Sequence, residues 1–432
     1  MALTSLLGVG ATTAAHAATD QEVNALKEQL RVLSERLQDL ESKQAKTEEK
    51  VEDTRERAVL ASGKSPGSFI IPGTNTEFTI GGYVKADFIY DLDQPQGDII
   101  LPEFLDVNPD DEDGEFRAHA RQTRINIGTS TPTELGDLKT FVEGDFFGGN
   151  GTSSQPESFS NSFEFRLRHA YAEIGNLLVG QTWTNFMPLT SYPATVDFEG
   201  PAGIPFIRQA QVRYSHDVDD NLRLSASLEN SELSGRNAAG NAIGNDNDAS
   251  GIQASIDRIP DITGAVEYND DWGQVRLAGV GRLLTSPNDS DDEFAYGVNI
   301  SGIYSAWEGG NILGSFTYGD GVGRYIINGF GQDAFLDANG NLETIESYGV
   351  VAGVNHQFTD EILGQVVYGR SEFLDTFADT DVESVNTVHT SVFWTPLDRV
   401  TFGGEVIYFD RENQNGADVD AVRLQTSVQV NF

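Results

Sequence analysis

The segment 421–432, AVRLQTSVQVNF, alternates without a break. From Val422 the even positions carry Val, Leu, Thr, Val, Val and Phe, and from Arg423 the odd positions carry Arg, Gln, Ser, Gln and Asn. Successive side chains of a strand point to opposite faces, so one face here is apolar and the other wet. The pattern recurs. In NLRLSASLEN, Leu222, Leu224, Ala226 and Leu228 oppose Arg223, Ser225, Ser227 and Glu229. In GQVRLAGVGRLL, Val275, Leu277 and Leu283 oppose Gln274, Arg276 and Arg282. No segment after the N-terminus holds the ~18 consecutive apolar residues that a spanning helix needs. If such strands meet lipid, they must do so in a closed barrel, which, like a helix, satisfies its own backbone in hydrocarbon.

Sixteen stretches have strand character: 78–93, 115–130, 138–148, 163–175, 177–184, 207–216, 221–230, 261–270, 273–285, 292–306, 310–319, 343–357, 362–373, 382–395, 399–411 and 420–432. Their connections alternate between tight turns, such as Gly175-Asn176, DVDDN and WEGGN, and long acidic loops, such as 94–114, 185–206 and 231–260. That asymmetry belongs to outer-membrane barrels. Tyr171, Trp183, Tyr214, Tyr268, Trp272, Tyr304, Trp307, Tyr408 and Phe409 read as interfacial girdles. The expected fold is an all-β transmembrane barrel of about 16 antiparallel strands, preceded by an N-terminal α-helical coiled coil. The last strand is expected to close against the first, with Arg423 in the lumen toward the periplasmic exit.

Lys and Arg total 28 against 67 Asp and Glu, a net charge of −39, which excludes nucleic acid as a partner. There is no Cys, so neither a disulfide framework nor a thiolate metal site forms. Neither His-Glu-x-x-His nor Gly-x-Ser-x-Gly occurs, and the reading assigns no catalysis, no cofactor and no metal. The stretch from Asp337 to Glu346 opens like a calcium loop. Leu342 replaces its glycine and Tyr348 its final glutamate, so it reads as a solvated acidic turn.

Residues 1–17 read as a secretory signal ending at Ala15-His16-Ala17, although the stretch lacks Lys or Arg. Residues 18–61 carry a heptad seam. One position takes Val23, Leu30, Leu37, Gln44, Val51 and Ala58, and the other takes Leu26, Leu33, Leu40, Thr47, Thr54 and Ala61. A parallel coiled coil in the periplasm follows from that seam and from the strand count. Residues 62–77 form a linker and 78–432 the barrel.

The informative residues are arginines inside strands: Arg121 and Arg124, Arg166 and Arg168, Arg208 and Arg213, Arg276 and Arg282. An Arg facing lipid costs roughly 2–4 kcal/mol at mid-membrane, so these are expected to line the lumen and guide anions. Pairing with Glu143, Asp145 or Glu164 would instead make them braces of the wall. Arg121 and Arg124 are three apart and need a bulge to share a face. The loop 185–206 is rich in Pro and aromatics. Folded inward it would constrict the lumen and bring Asp197 and Glu199 opposite the arginines; folded outward it would serve a subunit contact.

IPGTNTEFTIGGYVKADFIYD, ARQTRINIGTSTP, GQTWTNFMP, DFEGPAGIPFIRQAQVRY and a terminal aromatic together resemble the DcaP-like trimeric porins of Gram-negative outer membranes. The resemblance implies a homotrimer set among outer-membrane lipids and lipopolysaccharide, a periplasmic coiled coil, a constricting third loop, and uptake of small anionic solutes such as dicarboxylates. It carries a pore-lining role to Arg121, Arg124, Arg166, Arg168, Arg208 and Arg213. The acidic first loop is not accounted for by the likeness. A general or cation-preferring porin and a structural tether with a plugged barrel are the rival readings.

Overall fold

The computed structural model describes residues 20–58 and 67–432, except 103–104, 108–113, 149–160, 162, 245–255, 288, 330–331 and 375–376. The expected signal segment 1–17 and the junction 59–66, which holds the end of the heptads and the start of the linker, lie outside the described residues.

One helix, α1 (Asp20–Ala58, 39 residues), forms where no Gly or Pro interrupts the chain. Arg31 pairs with Glu28 at 2.7 Å and with Glu35 at 2.9 Å, and Lys43 with Asp39 at 2.8 Å. Such pairs stabilise a helix by about 0.2–0.5 kcal/mol each. The seam residues Leu26, Leu30, Leu33, Leu37 and Leu40 are 59–63% exposed.

Among the described residues, 16 strands form a closed antiparallel barrel. They are β1 (Glu77–Asp91), β2 (Glu115–His119, broken, then Arg124–Thr133), β3 (Gly136–Gly148), β4 (Glu164–Ile174), β5 (Leu177–Trp183), β6 (Arg208–Asp217), β7 (Leu222–Glu229) and β8 (Asp261–Asp270). Then follow β9 (Gly273–Thr285), β10 (Asp292–Trp307), β11 (Gly310–Asp320), β12 (Glu346–Gln357), β13 (Ile362–Phe373), β14 (Val382–Leu397), β15 (Val400–Asn413) and β16 (Asp418–Asn431). Each strand pairs with its chain neighbour. β16 closes on β1 in a ladder from Tyr83↔Asn431 to Asp91↔Arg423. Short turns join the strands at one end; Gly175 (φ 55°) and Gly309 (φ 75°) take the left-handed conformation that tight turns there require. The loops after β7 and β11 add a small sheet at the opposite end, from Ser234–Asn237, Ala242–Gly244, Ala334–Leu336 and Leu342–Thr344.

The alternation sorts the side chains. Along β16, Leu424, Thr426 and Val430 are exposed on the outer face, while Arg423, Gln425 and Ser427 are buried on the inner one. Tyr214, Tyr268, Trp272, Tyr304, Trp307 and Tyr408 are exposed, as a girdle requires. Three expected girdle residues lie elsewhere. Phe409 is fully buried with Ile100 and Leu105 of the first long loop. Tyr171 packs 5.7 Å from Phe141 on the inner face, and Trp183 turns toward His169 and Phe206 at 5.5 and 4.6 Å.

Arg423 also departs from expectation. β16 begins at the long-loop end, so its sixth residue lies in that half and not near the short turns. Its guanidinium forks Asp91 at 2.6 and 3.0 Å across the closing seam and donates to the Gly97 carbonyl at 2.8 Å. Neither side chain is more than 3% exposed. Breaking one partner of such a buried pair costs about 3–5 kcal/mol. Arg423→Met should therefore lower the temperature at which the folded barrel converts to the unfolded band on a semi-native gel. An unchanged transition would mean that the seam does not depend on the pair.

Candidate functional site: the lumen and its inward loop

β2 breaks at Ala120–Thr123. The Thr123 amide donates to the Ala120 carbonyl at 3.1 Å, and its hydroxyl accepts from the Lys85 amide at 3.2 Å. The break resets the parity. Arg117 pairs in register with the inward Ile89, and Arg124 with the inward Tyr83. Arg121 sits in the break, 2.6 Å from Asp98, with its guanidinium over Phe147 and Phe163 at 4.7 and 4.3 Å. A strand break, larger than a simple bulge, thus accommodates the three-residue spacing.

On β4 the register slips between Glu143↔His169 and Gly144↔Leu167, which leaves Arg168 as an extra residue. Arg166, Arg168 and His169 consequently all turn inward. Arg166 forks Asp145 at 2.7 and 3.2 Å, and Arg168 bridges Glu143 at 3.0 Å and Asp145 at 2.7 Å. Arg124 stands 3.8 Å from Glu143. Arg208 lies opposite Trp183 in the β5–β6 ladder, with its guanidinium 4.7 Å over that ring, and its buried Nη1 has no acceptor among the described residues. Arg121, Arg124, Arg166 and Arg168 thus share three carboxylates, Asp98, Glu143 and Asp145; Arg117 also reaches Asp98, at 3.4 Å, beside its own partner Glu115, and among the described residues Arg208 pairs with no carboxylate. The wall keeps a positive excess.

The chain between β5 and β6 runs inside the barrel. Its backbone is tied to side chains of the opposite wall, all on inner-face positions. The Val196 and Asp197 amides both donate to one Glu405 carboxylate oxygen, the latter at 2.9 Å. Lys85 Nζ donates to the Val196 carbonyl at 2.8 Å, Gln365 to the Ala194 carbonyl, and the Ala202 amide to Thr387 Oγ1 at 3.0 Å. Glu405 is also 2.7 Å from His389 Nδ1, and Lys85 is 3.0 Å from Asp87. The far end of the loop bonds Tyr325 and Ile327 of the loop after β11: Phe206 N to Tyr325 O at 2.9 Å, and Ile327 N to Ile204 O at 3.1 Å. At its centre Phe198 packs at a tilt 4.3 Å from Phe147, beneath the guanidiniums of Arg166 and Arg168 at 5.2 and 5.6 Å.

Asp197 lines the same cavity of about 390 Å³ as Arg124 and Arg168. It is 2% exposed and accepts the Glu199 and Gly200 amides at 2.8 and 3.1 Å. Glu199 contributes through its backbone, whose carbonyl accepts the Tyr192 hydroxyl at 2.7 Å. Arg213 and Arg276 line a second cavity of about 340 Å³ toward the short turns. Arg282 is placed otherwise. It has no exposed side-chain surface, and Asp261 and Asp333 hold it at 3.0 and 3.1 Å beneath the small loop sheet. There it braces loops and faces no open lumen. Asp337 of the calcium-like stretch accepts the Asn339 and Asn341 amides at 2.8 Å each, so its carboxylate is committed to the turn.

The sequence reading did not single out the opposite wall: Lys85, Asp87, Gln365, His389 and Glu405. The available signal was polar residues at inward parity inside apolar strands, as in YVKADFIY and GGEVIYF.

This geometry is a closed barrel with charged inner walls and a loop laid across it. The sequence matches the DcaP outer membrane protein family over residues 10–432. The chain belongs to that family. Among curated proteins, the DcaP-family chain is 26% identical over 265 residues to porin Omp2b of Brucella suis biovar 1 (strain 1330), a match covering 60% of this chain. It spans about 65% of that relative's length. Among solved structures, the outer membrane channel DcaP of Acinetobacter baumannii matches with a TM-score of 0.72 at 20% identity, over 86% of this chain and 100% of that one. The anion-selective porin from Comamonas acidovorans matches at 0.53 and 12% identity, over 83% and 100%. At such identities the two structures establish the shared barrel. Family membership and the barrel together place this DcaP-family chain in the outer membrane.

Burial pushes the Asp197 carboxyl above the usual carboxylate range; Arg423 opposes the shift and Glu405 adds to it. With its folded value raised, protonation favours the docked loop, and that contribution is lost as pH rises through the raised value. As pH falls from neutral toward the ordinary carboxylate range, the cavity should lose this negative charge. Permeability should then shift toward anions, read as a change in zero-current potential. Asp197→Asn should remove this part of the shift; a full shift in that variant would assign it to other groups.

Proposed function

We propose that the chain is an outer-membrane porin, a channel rather than an enzyme, through which small hydrophilic solutes diffuse passively with a preference for small organic anions such as dicarboxylates. The observation that carries the reading is the arginine wall, where Arg121, Arg124, Arg166 and Arg168 share three carboxylates and Arg208, among the described residues, pairs with none, in front of an inward loop. Guanidinium forks match carboxylates. Phe198 backs Arg166 and Arg168 and Trp183 backs Arg208, so ring faces hold these guanidiniums in position, and that of Arg208 without a carboxylate among the described residues. The loop 185–206 then acts as the constriction. Arg124 and Arg168 on one side of its cavity, with Asp197 on the other, set a transverse field that orients dipolar solutes. That a porin of the same fold is named anion-selective agrees with the preference.

In the same reading three chains assemble, and the open leucine seam of α1 is covered by its copies as a periplasmic coiled coil. The outer faces meet lipid and lipopolysaccharide. Arg166 and Arg168 favour a second reading, because both are fully engaged by Asp145 and Glu143. A wall neutralised in this way would give a general or cation-preferring pore.

The zero-current potential across a planar bilayer in a potassium chloride gradient separates the two. The anion reading expects a chloride-selective sign, moved toward potassium by Arg124→Met with Arg168→Met. A potassium-selective wild type would contradict it.

A further inference from the structure

We propose that the short-turn half of the lumen holds a second anion station, built by Arg276, Asn185 and Arg213 and shaped for one carboxylate or phosphate group. The inference rests on the reading of the chain as a pore for small anions, and adds a site to it. Met187 and Leu189 line both lumenal cavities, so this stretch of the inward loop partitions them. The cavity with Arg124 and Arg168 lies on one side. The other, about 340 Å³, is bordered by the β4–β5 turn residues Gly175 and Asn176.

The station is built and not merely basic. The Arg276 side chain is 8% exposed. Its Nη2 donates to the Asn185 carbonyl oxygen, while Nη1 is buried without an acceptor among the described residues. Asn185 Oδ1 accepts from Ser225 Oγ at 2.8 Å and from Arg276 Nη2 at 3.4 Å, which fixes the orientation of the amide. Among the described residues its Nδ2 is then buried without an acceptor as well. Buried donors nearly always find a partner, so two orphans on adjacent residues call for an acceptor that comes and goes. Arg213 borders the same cavity, held by Gln211 Oε1 at 2.9 Å and the Trp183 carbonyl at 2.7 Å. A guanidinium fork beside an amide NH2 suits an oxyanion with two or more oxygens.

The remaining charges keep the station weak. Glu267 stands 3.7 Å from Arg276, and Glu173 and Arg223 also line the cavity, so three guanidiniums meet two carboxylates. A channel needs sites that bind enough to admit a solute and little enough to release it. An anion passing the loop would leave Arg124 and Arg168 for this second partner.

The test uses single channels of the full-length protein with malonate added to one compartment at a time. Malonate reaching the pore from the short-turn side should produce discrete blocking events. Their dwell time should fall about tenfold in Arg276→Met and in Asn185→Leu, the loss expected for one charge-assisted hydrogen bond. Should Arg276→Met fail to fold, Asn185→Leu, in the loop, carries the test alone. Unchanged dwell times, or the absence of short-turn-side events in an anion-selective wild type, would overturn the station and leave the anion reading standing. A potassium-selective wild-type potential would overturn both.

Discussion

A strand in hydrocarbon has no water to receive its N–H and C=O groups, so every one must be given to a neighbouring strand, and a sheet with an edge cannot comply. The ladder from Tyr83↔Asn431 to Asp91↔Arg423 removes that edge. Much else follows from this closure. Outer positions must be apolar, inner positions are free to be polar, and the charges needed for function can only be placed inside. Arg423, with no exposed surface and forked onto Asp91, sits at the seam itself.

An enclosed lumen imposes the same demand on anything that enters it. The loop between β5 and β6 carries backbone groups into the barrel, and the opposite wall answers them one by one through Lys85, Gln365, Thr387 and Glu405. Glu405 alone receives two consecutive amides. The loop divides the lumen, gives Asp197 its buried place, and presses Phe198 against the arginine wall. The distribution of charge in the pore is thus a consequence of where one loop is tied.

The strands were legible because alternation and turn asymmetry are local. Each of the sixteen stretches read from the sequence overlaps a barrel strand. The inward arginines were partly legible by parity, since an outward Arg is costly in lipid. Their partners were not. The fork of Arg166 on Asp145 depends on a register slip at Arg168, which no spacing announces. Parity also failed near strand ends: Trp183 turns inward beside Phe206, and Phe409 is claimed by Ile100 and Leu105 from the first loop. Arg282 has the same strand context as Arg276, yet Asp333, 51 residues downstream, turns it into a brace for the loops. Non-local partners decided each of these cases.

The claim on which the rest depends is that the loop lies across the lumen against β14. Because the chain has no Cys, two introduced thiols report on this without interference. Ala202 and Thr387 are one hydrogen bond apart, 3.0 Å from amide nitrogen to hydroxyl. The measurement is disulfide formation in the folded Ala202→Cys, Thr387→Cys protein, followed by its single-channel conductance. The account predicts a disulfide under mild oxidation and a conductance that does not change when it forms. Failure of the thiols to join, or a conductance that alters once they do, would contradict it.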